Sequence, residues 1–122
     1  ILTNTTIKRD DLYKKPVKNS WKLGEEGGLS GTPLREKTNK IIRSVYELTN
    51  GKITIIGVGG ISTGRDAFEK ISKGASLLQL YTSLIYNGPN VVMTILSDLS
   101  CSLKRKGIKN VTDLVGENID YD

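Results

Sequence analysis

The chain contains no histidine and only one cysteine, Cys101. Histidine is the commonest general base and the commonest metal ligand in proteins, so this composition disfavours a zinc site or a Cys–His nucleophile. A single cysteine cannot close an internal disulfide, which indicates a reducing compartment. We interpret Cys101 as an ordinary helix residue and expect no metal site.

Long hydrophobic runs are absent as well. No apolar stretch approaches the roughly 20 residues that span a bilayer, and residues 1–20 lack the apolar core of a secretory signal. The net charge of +5 comes from basic residues that are spread along the chain. Aromatic residues do not interleave with them, so we interpret them as solvated surface and expect no nucleic-acid partner.

The most informative stretch is residues 53–62, where a strand-like run ends in a glycine-rich turn. β-Branched residues dominate positions 53–58, which is typical of a buried strand, and glycines follow at 59 and 60. Thr63 and Asp66 then form a helix-start signature, so backbone amides would face a ligand beyond the strand. The turn suits a phosphate group, although a turn that only reverses the chain explains this stretch equally well.

The rest of the chain alternates between strand and helix patterns. Residues 1–6 resemble a strand that is already running, and the stretch from 7 to about 30 is long for a loop. The predicted elements that follow are a helix over 34–50, a strand over 53–58, a helix over 64–73, a strand over 76–81 and a helix over 90–106. This order is typical of parallel βα units, in either a small open sheet or the last part of a barrel.

We favour the barrel for two reasons. The chain enters in the middle of a strand, as though a domain had begun earlier. The glycine turn and Tyr81-Thr82-Ser83 both follow predicted strands, and barrels bind phosphate at the carboxyl ends of their last two strands.

Five motifs occur in order along almost the whole chain. They are Thr3-Asn4-Thr5-Thr6, Gly27-Gly28-Leu29-Ser30-Gly31 with Pro33-Leu34-Arg35, Ile55-Ile56-Gly57-Val58-Gly59-Gly60-Ile61, Gly74-Ala75-Ser76-Leu77 and Gln79-Leu80-Tyr81-Thr82. This ordered set resembles the carboxyl-terminal part of the class 2, quinone-dependent dihydroorotate dehydrogenases. The resemblance implies an α/β fold, a (β/α)8 TIM barrel, of which this chain supplies about strands 6–8 with their helices. Residues 1–122 would be the carboxyl-terminal portion of one FMN-binding domain, and residues 7–30 a long loop on its active-site side.

The resemblance also implies roles for individual residues. Those that correspond to FMN contacts are Thr3, Gly31, Gly60, Tyr81 and Thr82, the last two at the phosphate end, and those that correspond to substrate contacts are Asn4 and Thr5. An amide beside a hydroxyl supplies the donors and acceptors that a planar imide with a carboxylate requires. The same two residues would also suit a hydrogen-bonded turn at a strand end.

The implied activity is the FMN-dependent oxidation of dihydroorotate to orotate, with a quinone, expected to be ubiquinone, as electron acceptor in pyrimidine biosynthesis. The catalytic base is expected upstream, in the missing amino-terminal part of the same barrel, so the segment alone should neither fold stably nor turn over. Tyr81 through Pro89 correspond to the side from which the quinone approaches, although Tyr81 also suits a buried strand aromatic. Amino-terminal elements would attach the enzyme to the mitochondrial inner membrane or, alternatively, the bacterial inner membrane.

Two other interpretations remain open from the sequence. The first is another FMN- or phosphate-binding TIM-barrel oxidoreductase, of the inosine-monophosphate or dihydrouridine type. The second is a non-enzymatic phosphate-ligand half-barrel that dimerises. That module would require a genuine chain start at or just before Ile1 and would contain no flavin.

Overall fold

A computed structural model describes residues 1–9, 24–118 and 121. Most of the predicted loop 7–30 therefore lies outside the described residues. The α-helices are α1 (Arg35–Leu48), α2 (Gly64–Ser72), α3 (Thr82–Asn87) and α4 (Asn90–Arg105), and the strands are β1 (Ile56–Val58) and β2 (Leu77–Gln79). Short 3-10 helices cover Thr32–Leu34 and Val111–Leu114.

The two strands pair in parallel, with Gly57 opposite Leu78 in the register. Leu2 joins the other side of β1, because its N–H donates to the Ile56 carbonyl at 2.9 Å and its carbonyl accepts from Val58 N–H at 2.6 Å. This contact is also parallel. The spatial order of the three segments is thus their order in the chain, as the predicted βα units require.

The helices cover one face of this sheet. Side chains alternate across a strand, so Leu78 faces the helices and its neighbour Gln79 faces the opposite side. Leu78 packs against each of three buried clusters, which contain Ile61, Ala67, Val91 and Ile95, then Phe68, Ile71, Leu99 and Leu114, then Ile42, Ile55 and Ala75. Helix α2 contacts both α1 and α4. The core therefore lies between the sheet and these three helices.

The predicted helices match the observed ones to within two residues at each end, whereas the strands are shorter than predicted. The strand expected over 76–81 ends at Gln79, and α3, which the sequence analysis did not predict, begins at Thr82. The Tyr81 carbonyl accepts from Leu84 N–H at 3.0 Å in the first turn of α3. Tyr81 is 72% exposed, so its interpretation as a buried strand aromatic is wrong.

The expectation that residues 53–58 form a buried strand is only partly right, since Ile53 is 57% exposed. Ile55 is buried, but Leu77 is 56% exposed because it points away from the helices. Parallel sheets are usually covered on both faces. Within the described residues, helices cover only the face that carries Leu78.

Candidate functional site

A cavity of about 920 Å³ lies at the carboxyl ends of the Leu2 segment, β1 and β2. This volume is near the upper end of the roughly 300–1,000 Å³ typical of small-molecule sites. The wall includes Thr3, Asn4 and Thr5 after the first segment, Gly59 to Ser62 after β1, Leu80 to Ser83 after β2, and Ser30 to Thr32 before α1. All seven residues that the sequence analysis assigned to cofactor or substrate thus line one cavity.

The cavity wall combines apolar surface with many polar side chains, none of which is charged. Its polar side chains are those of Thr3, Asn4, Thr5, Ser30, Thr32, Ser62, Gln79, Tyr81, Thr82, Ser83, Tyr86 and Asn87. No lining residue in the described part of the chain is an acid, a lysine or an arginine. Hydroxyl, amide and backbone groups can both donate to and accept from a ligand, but they cannot neutralise its charge.

Gly60 brings the backbone of the glycine turn against the start of α1. Its φ of 73° lies in the left-handed region. A Cβ added there would lie 2.6 Å from the N and Cα atoms of Arg35. Only glycine combines this conformation with this approach, so the turn can present its backbone to the cavity.

The capping box predicted from Thr63 and Asp66 is present at the beginning of α2. Thr63 Oγ1 accepts from Asp66 N–H at 3.2 Å, and Asp66 Oδ2 accepts from the N–H groups of Thr63 at 2.9 Å and Ser62 at 3.0 Å. Arg35 donates to Asp66 Oδ1 at 2.6 Å. The same carboxylate therefore holds the end of the glycine turn, the first turn of α2 and the first residue of α1.

These contacts determine the ionisation of the pair. Burial acts to raise the pKa of Asp66, but hydrogen bonds from Arg35, Ser62 and Thr63 outweigh it, so the pKa lies below its ordinary value of 3.8. The hydrogen bond with Asp66 raises the pKa of Arg35. Both groups are therefore charged at neutral pH, and they neutralise each other.

Lys70 lies behind the glycine turn, on the helix-covered side of the sheet. It is 0% exposed, and its ammonium donates to Thr38 Oγ1 and Asn39 Oδ1, each at 2.7 Å. Burial lowers the pKa of Lys70 to about 8. The sequence analysis did not identify this residue.

The opposite wall of the cavity joins the loop before α1 to α3. Thr82 Oγ1 donates to Ser30 Oγ at 2.9 Å, and a Cβ at Gly31 would lie 3.2 Å from Thr82 Cγ2. The Ser83 hydroxyl is buried and has no hydrogen-bond partner among the described residues. Buried polar atoms are nearly always hydrogen-bonded, so this hydroxyl is an exception among the described residues.

The Asn4 side chain bonds to the backbone next to it. Asn4 Oδ1 accepts from Thr5 N–H at 2.8 Å, and Thr3 Oγ1 donates to the Asn4 carbonyl at 3.2 Å. Both bonds join adjacent residues, so they do not form the hydrogen-bonded turn that the sequence left open as an alternative. In the described part of the chain, the Asn4 side-chain nitrogen has no acceptor, which leaves a donor beside the cavity.

Ser30, Ser62 and Ser83 lie in the cavity wall and within stretches that the sequence had singled out, but no ligand contact was assigned to them. Position within a motif would have been the available signal. Among the described residues, no helix is both long and apolar enough to cross a membrane. The same residues contain no group of three or more His, Cys, Asp or Glu side chains that could hold a metal ion.

Comparison with known proteins gives a consistent result. The family model for dihydroorotate dehydrogenase matches residues 1–103. The mitochondrial dihydroorotate dehydrogenase (quinone) of Mus musculus is 50% identical over 116 residues, covering 95% of this chain and 28% of the mouse protein. The dihydroorotate dehydrogenase (quinone) of Nostoc punctiforme is 46% identical over 121 residues, covering 98% of this chain and 32% of the relative.

A solved structure is similar as well. The ligand-free DHODH of Eimeria tenella superposes with a TM-score of 0.87 at 42% identity, covering 97% of this chain and 32% of that chain. The chain thus spans about a third of the length of these relatives. With the family model matching most of its residues, the chain belongs to the dihydroorotate dehydrogenase family.

Proposed function

We propose that the full-length protein oxidises dihydroorotate to orotate with FMN as cofactor and a quinone as electron acceptor. The observation that carries the proposal is the convergence of all seven assigned residues on one cavity, although they come from four separate regions of the chain. Relatives named dihydroorotate dehydrogenase (quinone) support the same activity.

The donor set fits FMN. Gly60 and Gly31 expose backbone beside the cavity, and Thr82 lies at the end that we assign to the phosphate. Backbone N–H groups and hydroxyls are the usual partners of phosphate oxygens. Thr3 would hold the flavin ring from the first strand end, with Tyr81 beside the phosphate end. When bound, FMN supplies the redox chemistry.

Asn4 and Thr5 would bind the pyrimidine. The free side-chain nitrogen of Asn4 can donate to a carbonyl or carboxylate oxygen of orotate, and the Thr5 hydroxyl can donate or accept. Their role is to orient the substrate against the flavin and not to move a proton. We assign no catalytic base to this segment, since no lining residue in the described part of the chain is an acid, histidine or lysine.

The three parallel strand segments would be about strands 6–8 of a (β/α)8 barrel. Residues 1–122 then form the carboxyl-terminal portion of a single domain, residues 7–30 form a long loop on the active-site side, and the amino-terminal part of the barrel supplies the base. A quinone, ubiquinone in our proposal, would approach along Tyr81 to Pro89. We place the enzyme at the mitochondrial inner membrane, with the bacterial inner membrane as alternative, attached through amino-terminal elements.

Anaerobic reduction of the full-length protein tests this function. Adding dihydroorotate without oxygen should bleach the visible flavin band, and a quinone, but not fumarate or a nicotinamide nucleotide, should restore it. Asn4→Ala should weaken orotate binding by about tenfold, because one hydrogen-bonding partner of the substrate is lost. Measuring the orotate dissociation constant of this variant then tests the substrate assignment.

Other outcomes would overturn the proposal in different ways. A flavin that does not bleach would retain the FMN site and reject the substrate, as another FMN-binding barrel oxidoreductase predicts. A colourless protein that takes up no flavin would reject the cofactor, as the phosphate-ligand module predicts. Unchanged orotate binding in Asn4→Ala would reject the role of that residue alone.

A further inference from the structure

Lys70 is held in a closed space between α2, α1 and β1. Its side chain crosses the face of Gly57, where a Cβ would lie 2.8 Å from Lys70 Cδ and 2.9 Å from Lys70 Cγ. Any larger residue at position 57 would collide with the lysine stem. The glycine in the middle of β1 therefore makes room for a buried cation.

The partners of that cation are neutral. The Lys70 ammonium donates to the Thr38 hydroxyl and the Asn39 amide oxygen, each at 2.7 Å. Among the described residues no carboxylate lies within 4.0 Å to form an ion pair with it. A buried charge without an opposite charge is strongly unfavourable, so its presence calls for a compensating group.

Thr38 connects Lys70 to the glycine turn. Thr38 Oγ1 accepts from the ammonium and lies 3.3 Å from the Gly59 carbonyl and 3.0 Å from the Arg35 carbonyl, to which its own proton can be donated. Gly59 is part of the cavity wall. One hydroxyl group therefore separates the buried ammonium from the backbone that faces the cavity.

A positive charge near this wall would strengthen the binding of a phosphate there. The lining residues carry none in the described part of the chain, and Arg35 is neutralised by Asp66 at 2.6 Å. We infer that Lys70 is a positioning residue for FMN: from behind the glycine turn, through Thr38, it supplies the positive charge that attracts the phosphate and fixes the turn that receives it. This inference rests on the proposed function, which places FMN in the cavity.

The charge of Lys70 makes the inference testable by pH. Burial is the main cause that lowers the pKa of Lys70 from 10.5 to about 8, and the positive charge of Arg35 on α1 lowers it further. The negative charges of Asp66 and Glu69 on α2 act in the opposite direction and raise the pKa. Thr38 and Asn39, the other α1 groups that face it, do not titrate. The Lys70 side chain is thus mostly protonated at neutral pH, and its charge is lost as the pH rises above about 8. FMN affinity should fall over the same range, because the phosphate remains doubly charged above its second pKa of about 6.

The experiment compares FMN with riboflavin, which lacks only the phosphate. Apoprotein is prepared from the full-length protein, and dissociation constants are measured by quenching of flavin fluorescence. Lys70→Met removes the charge but keeps the length of the side chain. It should weaken FMN binding by about tenfold or more, as the loss of one charge near a phosphate predicts, and should change riboflavin binding by less than about twofold. Lys40→Met, which removes an exposed charge from α1, is the matched control and should change neither.

The pH series decides the question even if Lys70→Met does not fold. Between about pH 7 and about pH 9.5, the wild-type protein should lose affinity for FMN relative to riboflavin. An unchanged ratio of the two affinities, in the variant or across the pH series, would overturn the inference while leaving the proposed function in place. A wild-type protein that binds neither flavin would instead reject the proposed function, and with it the basis of the inference.

Discussion

At Gly60 the wall of the cavity consists of backbone alone. The residue has a φ of 73°, and the space that a side chain would occupy holds the Arg35 backbone. A Cβ at position 60 would therefore meet both an unfavourable backbone conformation and a steric clash. The two effects can be separated, because Gly107 has a similar φ of 70° but nothing within 4 Å of its Cβ position.

We expect Gly60→Ala and Gly107→Ala to differ in their effect on FMN binding. Alanine at a positive φ costs about 1 kcal/mol of stability at either site. At position 60 the clash with α1 must also displace the turn, so the affinity for FMN should fall by about tenfold or more. Flavin titration of both full-length variants, together with urea unfolding, measures the two effects. Equal FMN affinity in the two variants would contradict the proposed role of the turn.

The family resemblance assigned residues of the cavity wall to cofactor and substrate, but neither it nor the residue types identified the charge behind the wall. The glycine turn and the Tyr81-Thr82-Ser83 stretch at strand ends indicated a phosphate site by themselves, whereas the pyrimidine contacts of Asn4 and Thr5 followed only from the resemblance. In the sequence, Lys70 looks like any charged residue of the predicted helix over 64–73, and lysines are almost never fully buried. Its position was therefore not predictable, because the space over Gly57 and the acceptors on α1 appear only when the chain has folded.

Helix α2 begins at a carboxylate that also pairs with another helix. Asp66 completes the capping box and accepts from Arg35, the first residue of α1. The capping box was predictable from the spacing of Thr63 and Asp66. The pair with Arg35 was not, because the two residues are 31 positions apart and no local pattern connects them.

We expect Asp66→Asn to destabilise the full-length protein by about 2–4 kcal/mol at neutral pH, since it removes one buried partner of an ion pair and weakens a cap. The pKa of Asp66 is lowered in the folded protein, so its contribution is complete above the ordinary pKa of 3.8 and is lost as the pH falls through the lower, folded value. Urea unfolding at pH values from neutral down to about 3 should therefore show the two proteins converging in acid.

Asp98→Asn, at an exposed position on α4, is the matched control and should change stability by less than about 0.5 kcal/mol. A constant difference between wild type and Asp66→Asn at every pH would contradict the electrostatic explanation.

The helix α3 illustrates the limit of local patterns, since Tyr81 precedes it without any side-chain cap. Because no cap residue marked the beginning of α3, the predicted strand over 76–81 extended up to its first residue.

For the whole molecule, the described sheet is covered by helices on one face only. Leu77 on the opposite face and Ile85 and Met93 on α3 and α4 are large apolar side chains that remain exposed. Exposed apolar groups of this kind usually contact other protein surface. The alternation of strands and helices predicted the parallel arrangement. The number of strands in the complete sheet could not be predicted in the same way, because this chain spans only about a third of the length of its relatives.

We expect residues 1–122, expressed alone, to melt without cooperativity and to show no dihydroorotate oxidation. The reason is that one sheet face and both sheet edges lack partners among the described residues. Circular dichroism during heating measures the cooperativity, and an assay of dihydroorotate oxidation measures the activity, with the full-length protein as reference. A sharp, cooperative melt of the segment would contradict this expectation.

The packing of Lys70 across Gly57 has a consequence for how this site can change in evolution. A Cβ at position 57 would lie 2.8 Å from the lysine stem and 3.0 Å from the Cβ of Ala75. Position 57 can therefore acquire a side chain in evolution only if Lys70 and Ala75 rearrange, which would also move the charge behind the turn.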